Sequence, residues 1–424
     1  MKIQDNYPEG KMLWFNDFYC DGNNIFFSAG NFNGLYAYSI VNKKLSFLGK
    51  FKDEYALCIQ LYGNVNNFEN QLIFTPLSAN SIGIYDLYNK TFESIALPMP
   101  KAACGYECKF LNSVIYKNSI FAFPGYSSYI IEYSIKNKKL IIHDSWYNEL
   151  FNRYKKKSNL LFHFDSVQIN DDIYLPSEQY SGMFRYCLLD NTYEFIEIAG
   201  IYENIHTLSY DGNYIWCSTN SKLLKLNLKG KVTEEIDIFA TYGVKGDFYY
   251  SIYHKDYLFL FACQMSIVLR IDCRNYMTKF EVMRYCKEEK KYTNYEYHAT
   301  DFVKKKKDKV FFMCRSDRTI LNIADGNVER YLDAIIDTTG YAERNVDAND
   351  IYIESINFDE KKNRYLHKDN KDKDNRNIFY ERTLFPESLD FMLNVINPFK
   401  IEKQSCCVGG MGKKIYRLLN IEEK

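Results

Sequence analysis

Nowhere in the 424-residue chain do about eighteen apolar residues run together, the length a membrane-spanning helix needs. The opening stretch MKIQDNYPEGKMLWF has no apolar core of secretory length, so a leader is not expected and the chain reads as soluble and cytoplasmic. An excess of charge of either sign is also missing, with 54 Lys+Arg against 54 Asp+Glu. A neutral chain has no overall field to steer it onto nucleic acid or an anionic membrane, and neither is expected as a partner. The 12 Cys are scattered rather than framed, several inside apolar runs such as IWCST and LFLFACQ. There a thiol acts as a small hydrophobe in a reducing compartment. What is abundant is aromatic: 38 Tyr and 31 Phe, residues that fit a pleated, half-buried surface and lean the composition toward sheet.

The clearest local pattern lies at residues 211–238, DGNYIWCSTNSKLLKLNLKGKVTEEIDI. It predicts three short strands at 214–218, 223–228 and 232–238, separated by Thr/Asn/Ser and Lys-Gly turns, the spacing of antiparallel hairpins. The pattern recurs. Seven apolar anchors follow Gly/Asn/Asp/Lys turns, at Ile25, Leu72, Ile120, Ile173, Tyr214, Tyr257 and Val310. They lie roughly forty to fifty-three residues apart, close to the period of propeller blades. Another apolar strand precedes each anchor, and most anchors are followed by a third strand, a tight turn and a fourth, as in LYAYSIVNKKLSFLG and FRYCLLDNTYEFIEI.

Four strands per unit and about seven units predict an all-β fold, a β-propeller of four-stranded antiparallel blades over residues 1–333, with six blades as the alternative if the last unit is partial. Over about residues 12–333 the chain resembles the β-propeller superfamily of Kelch, WD40 and related repeats. It does so through the blade pattern alone: the Gly-Gly doublet of Kelch, the Trp-Asp ending of WD40 and the S-x-D-x-G-x-T-W box of sialidases are absent. No family function is carried over.

Two stretches interrupt the repeat. At 144–157, DSWYNELFNRYKKK places Trp146, Leu150, Phe151 and Tyr154 at helical spacing behind Asp144 or Ser145 as a cap, predicting a helical insertion. At 287–297, KEEKKYTNYEY predicts a polar and aromatic loop. From residue 334 the repeat dissolves into a C-terminal extension with a strand at 350–358, a charged excursion at 361–377 and short helices at 386–396 and 413–419.

In a propeller the first strand of each blade lines the central channel, so polar residues distant in sequence converge. Counting back from the anchors gives Asp17, Asn112, Asp165 and His206, with Gln60, Tyr250 and Asp301 in the less regular blades. Asp17, Asp165, His206 and Asp301 are the candidate acid–base group should the protein be a hydrolase or lyase acting at the channel mouth. The same positions also suit hydrogen bonding to neighbouring strands or channel water. His163, His206, His254 and His298 fall in or at the ends of first strands, but none has H-x-x-x-H or H-x-H spacing, and no metal or cofactor is expected.

CGYEC at 104–108 lacks the second ligand pair that zinc wants. VGGMGKK at 408–414 departs from the phosphate-binding loop at its first glycine and its hydroxyl and has no βαβ context. The run at 304–307, KKKK, reads as a turn between strands, and 155–157 as a helix end. Tyrosines in loops remain: Tyr126, Tyr180, Tyr292 and Tyr295 would place rings on a propeller face, where Tyr suits protein recognition and flat rings stack on sugars. The leading expectation is a non-catalytic module that binds a protein or saccharide through the loops of one face.

Overall fold

The computed structural model describes residues 11–338, apart from 31, 53, 55–59, 99–107, 245, 264, 286–299, 307–308, 316 and 325. Seven four-stranded antiparallel sheets follow one another along the chain, at 19–49, 62–96, 110–143, 167–197, 209–237, 248–284 and 300–332. These are blades 1 to 7 of a β-propeller. Within every blade the strands pair in sequence order, inner to outer. Each anchor residue falls in its blade's second strand except Tyr214, which sits just before Ile215–Ser218.

The second and third strands read as continuous apolar runs because each blade is buried on both faces. In Ile215–Ser218, Ile215 and Cys217 pack toward blade 4 while Trp216 packs toward blade 6. Successive side chains of a strand point to opposite faces, so two adjacent cores each claim alternate residues. Phe15, Phe18 and Phe27 meet Phe302 and Phe311 between blades 1 and 7, and Phe259 and Phe261 meet Val310 and Phe312 between blades 6 and 7. Fourth strands such as Lys44–Gly49 and Val232–Asp237 are mostly partly buried or exposed, as outer edges should be.

The ring closes through a feature the repeat pattern does not announce. Lys11–Met12 pairs antiparallel with Ile336–Asp337, Leu13 N donates to Ile335 O at 2.8 Å, and the Tyr36 hydroxyl donates to Asp337 at 3.0 Å. The sheet contacts therefore run past the expected boundary at 333 to Asp337. The helical insertion is present as Ser145–Arg153, with Trp146 and Leu150 buried between blades 3 and 4. Asp144 occupies its N-cap position, although its side chain makes no capping bond. A second short helix, Ile238–Tyr242, follows blade 5. Asp237 caps it by accepting from Ala240 N at 2.7 Å. The expected loop at 287–297 and the expected strand and helices beyond residue 338 lie outside the described residues.

Candidate functional site at the mouth of blades 4 to 6

The polar residues of the inner strands divide into two groups at different depths. The deeper group is a belt of bonds between inner strands of different blades. Asp17 accepts from Val65 N at 3.0 Å, Asn64 donates to Leu111 O at 2.8 Å and Asn112 donates to His163 O at 3.2 Å. One oxygen of Asp165 accepts from Leu208 N at 3.0 Å, Ser251 N at 2.9 Å and Ser251 Oγ at 3.0 Å, so a single carboxylate ties blades 4, 5 and 6. Burial pushes the Asp165 carboxyl up to about 7, against the pull of the amides of Leu208 and Ser251.

Part of the tetralysine run belongs to this belt. Instead of forming a turn, Lys304 and Lys306 end the inner strand Thr300–Lys306 of blade 7. At alternate positions they share a face, with their ammonium groups 3.7 and 3.6 Å from the Asp17 carboxylate. Lys304 also donates to Asn64 at 2.8 Å. Burial holds the Lys304 amine below its usual range, with Asp17 opposing.

The second group lies toward one face, where inner strands begin and second strands end. His163 comes just before the inner strand of blade 4, and Glu178 just after its second strand, Asp172–Pro176. Two backbone bonds hold the two segments side by side, His163 N to Pro176 O at 2.9 Å and Glu178 N to Leu161 O at 3.0 Å. In blade 5 the corresponding corners carry His206, whose amide donates to Ser218 O at 2.8 Å, and Asn220. In blade 6 the inner strand Phe248–His254 bulges between Phe248 and Tyr250. Tyr249 is the extra residue, and a bulge re-aims its side chain. Its ring centroid lies 4.7 Å from that of His163 and 5.9 Å from that of His206.

The result is a compact polar cluster. One potential ligand atom from each of His163, Glu178 and His206 lies within 4.8 Å of the others, and His163 Nε2 is 4.0 Å from Glu178 Oε1. His163 is 3% exposed and the Glu178 side chain 16%, whereas Asn220 lies at the surface. His206 Nε2 contacts Asn220 Oδ1 at 2.6 Å. Because an amide oxygen only accepts, this bond places a ring proton on Nε2. Burial pushes the Glu178 carboxyl above its usual range, opposed first by the His206 imidazole and then by the Asn204 amide. Burial likewise holds the Tyr249 phenol far above its ordinary value.

Of the proposed acid–base group, among the described side chains only His206 reaches this cluster. Asp17 and Asp165 sit in the belt, bonded between blades. Asp301 belongs to the inner strand of blade 7, with its side chain outside the described residues. In blade 2 the belt bond comes from Asn64 rather than Gln60, and in blade 6 Ser251, next to Tyr250, bonds Asp165. His254 ends the inner strand Phe248–His254 of blade 6, and His298 lies outside the described residues. Tyr126 occupies the blade 3 corner equivalent to Glu178, half-buried against Leu77, Cys108 and Leu111. Tyr180 departs from the expected exposed position: it is 3% exposed and stacks on Tyr154 at 4.3 Å. It lines a cleft of about 490 Å³ with Arg153, Glu197 and Tyr202. Tyr292 and Tyr295 lie outside the described residues.

Glu178, Asn220 and Tyr249 were not singled out from the sequence. The signal for the first two was the corner after each anchor strand, LPSEQY in blade 4 and CSTNSK in blade 5, which becomes readable only when blades are superposed.

The class this architecture defines is the seven-bladed β-propeller. No protein-family model matches the chain, and no curated protein matches it in sequence. Among solved structures the chain is similar to the computationally designed Ika8 protein, with a TM-score of 0.51 at 10% identity over 77% of this chain and 90% of that one. It is also similar to the dihydro-heme d1 dehydrogenase NirN, with a TM-score of 0.49 at 11% identity over 78% and 68%. A third is a catalytically inactive virginiamycin B lyase from Staphylococcus aureus with quinupristin, with a TM-score of 0.47 at 12% identity over 66% and 85%. Likeness at these identities concerns the fold alone.

Proposed function

We propose that the protein is a binding module, taking a protein or saccharide ligand through the propeller face that carries His163, Glu178 and His206. The observation that carries this reading is the convergence on one face of two imidazoles, a carboxylate and an amide from adjacent blades, while the deeper carboxylates are saturated by interblade bonds. A rigid ring with a recessed polar cluster offers fixed donors and acceptors to a hydroxyl-rich or carboxylate-bearing group. The aromatic ring of Tyr249 packs against both imidazoles. Among the described residues Cys20, Cys187, Cys217 and Cys273 are thiols rather than disulfides, which supports a reducing, cytoplasmic setting. No helix among the described residues is long and apolar enough to cross a membrane.

The test is differential capture. Wild-type protein and Glu178→Ala are applied to a glycan array and, in parallel, used as bait with chemical crosslinking. The expected outcome is a saccharide or protein retained by wild type and lost in the variant. Equal capture by both would place binding elsewhere, with the cleft at Tyr180 next to be tested. A second reading, an acid–base enzyme at the same mouth, draws on the proximity of His163 and Glu178. It would show as turnover of the captured ligand.

A further inference from the structure

We propose that His163, Glu178 and His206 form a three-ligand site for a divalent transition-metal ion, zinc above all, with its remaining coordination position open to the propeller face. The inference rests on the binding face just described and names what its deepest groups hold. Two imidazoles and one carboxylate make a donor set of open zinc centres, in which a fourth position is left for water or ligand. Magnesium and calcium ask instead for a shell of oxygens, which this cluster does not offer.

The geometry suits such an ion with modest adjustment. Ligand atoms about 2.0–2.1 Å from a tetrahedral zinc lie roughly 3.4 Å from each other, and the three here already lie within 4.8 Å. Small rotations about the side-chain bonds of the three residues would close that gap. The surroundings are also those of a ligand set. Asn220 holds the proton of His206 on Nε2, and Nδ1 is buried without a hydrogen-bond partner among the described residues. An outer partner that fixes the tautomer of a ligating imidazole is a recurring feature of metal sites.

Glu178 has no lysine or arginine ion-paired to it among the described residues; its ion-pair contact is with His163. A carboxylate so far withdrawn from water calls for a cation. Asn204 steadies its second oxygen at 3.5 Å. The blades that carry the three groups are locked together one layer deeper by Asp165, so the donors are presented by a rigid frame.

The experiment counts metal on the full chain. Protein stripped with a chelator is dialysed against Zn2+ or Mg2+ and the bound metal measured by elemental analysis, alongside Glu178→Gln, His206→Gln and a control, His143→Gln, whose imidazole pairs with Glu132 in blade 3. Wild type and the control are expected to retain a single equivalent of zinc more than either site variant, and to retain no magnesium. Zinc held by cysteines is common to all four proteins and cancels in the difference. Asn220→Ala, at the surface, is expected to weaken zinc binding about 10- to 100-fold and serves if a ligand variant fails to fold.

Equal zinc in wild type, both site variants and Asn220→Ala would overturn the proposal, as would retention of magnesium in place of zinc. If the zinc difference is absent while Glu178→Ala still loses its captured ligand, the metal site falls and the binding face stands. If the zinc difference is present while capture is unchanged, the metal site stands and that face is not where the ligand binds.

Discussion

Asp165 and Glu178 are both recessed carboxylates of blade 4, and their partners separate their roles. Asp165 is surrounded by donors from three blades, so Asp165→Ala leaves the amides of Leu208 and Ser251 without an acceptor. The expected cost is about 3 kcal/mol, read as a fall in urea midpoint with an unchanged slope. Lys304 and Asp17 form a coupled pair in the same belt. Lys304→Met should cost about 2 kcal/mol, and adding Asp17→Asn should cost less than the sum of the two single changes, the positive coupling a double-mutant cycle reads. Glu54 gives the pH dependence. Its carboxylate accepts from Ser81 Oγ at 2.6 Å and from Asn80 N at 2.9 Å, yet burial still raises its proton affinity above the ordinary glutamate value. The unfolded chain releases this proton at the ordinary value and the folded chain only at a higher pH. Between the two the folded state binds more protons, so the contribution of Glu54 to stability falls as pH rises through that window and is constant above it. Glu54→Gln should flatten the pH profile of the urea midpoint in that window; an unchanged slope would contradict this account of Glu54.

Strands and turns were largely legible in the sequence, because the two-sided burial of each blade writes a continuous apolar run where its second strand lies. The anchors at Ile25 and Val310, nearly the whole propeller apart, follow the same rule. The inner strands were legible as strands but not in register. A bulge such as the one at Tyr249 leaves no mark in hydrophobic periodicity, since the extra residue is itself an aromatic among aromatics. For the same reason Lys304 and Lys306 read as a turn: four lysines in a row look solvated until the alternation of a strand sends two of them to one face, toward Asp17. The helix Ser145–Arg153 was legible from spacing, and its anchoring is testable. Trp146 is fully buried, packs against Phe162 and Phe184, and donates to His143 O at 3.0 Å. Trp146→Ala should cost about 3–5 kcal/mol and hasten proteolysis within 145–157, while zinc retention at the site stays that of wild type.

At the scale of the whole molecule the ring is held shut by a short strap between its ends. The pairing of Lys11–Met12 with Ile336–Asp337 joins residues at opposite ends of the described chain. Removing residues 1–12 should lower the thermal midpoint and expose the blade 1 and blade 7 strands to amide exchange before the others. Uniform exchange across all blades would contradict that role. The candidate site is likewise a property of the ring and not of any segment: His163 and Glu178 come from one repeat, His206 and Asn220 from the next, Tyr249 from a third. No motif spacing could reveal it, whereas the number of blades and the order of their strands could be read directly. As proposed above, these repeats together build one metal-holding centre at one face. The most direct measurement is an anomalous difference map, at the zinc absorption edge, from crystals of the full chain grown with zinc. The expected result is a peak bounded by the imidazoles of His163 and His206 and the carboxylate of Glu178. Zinc peaks confined to cysteines or surface histidines, with none among these three, would contradict it.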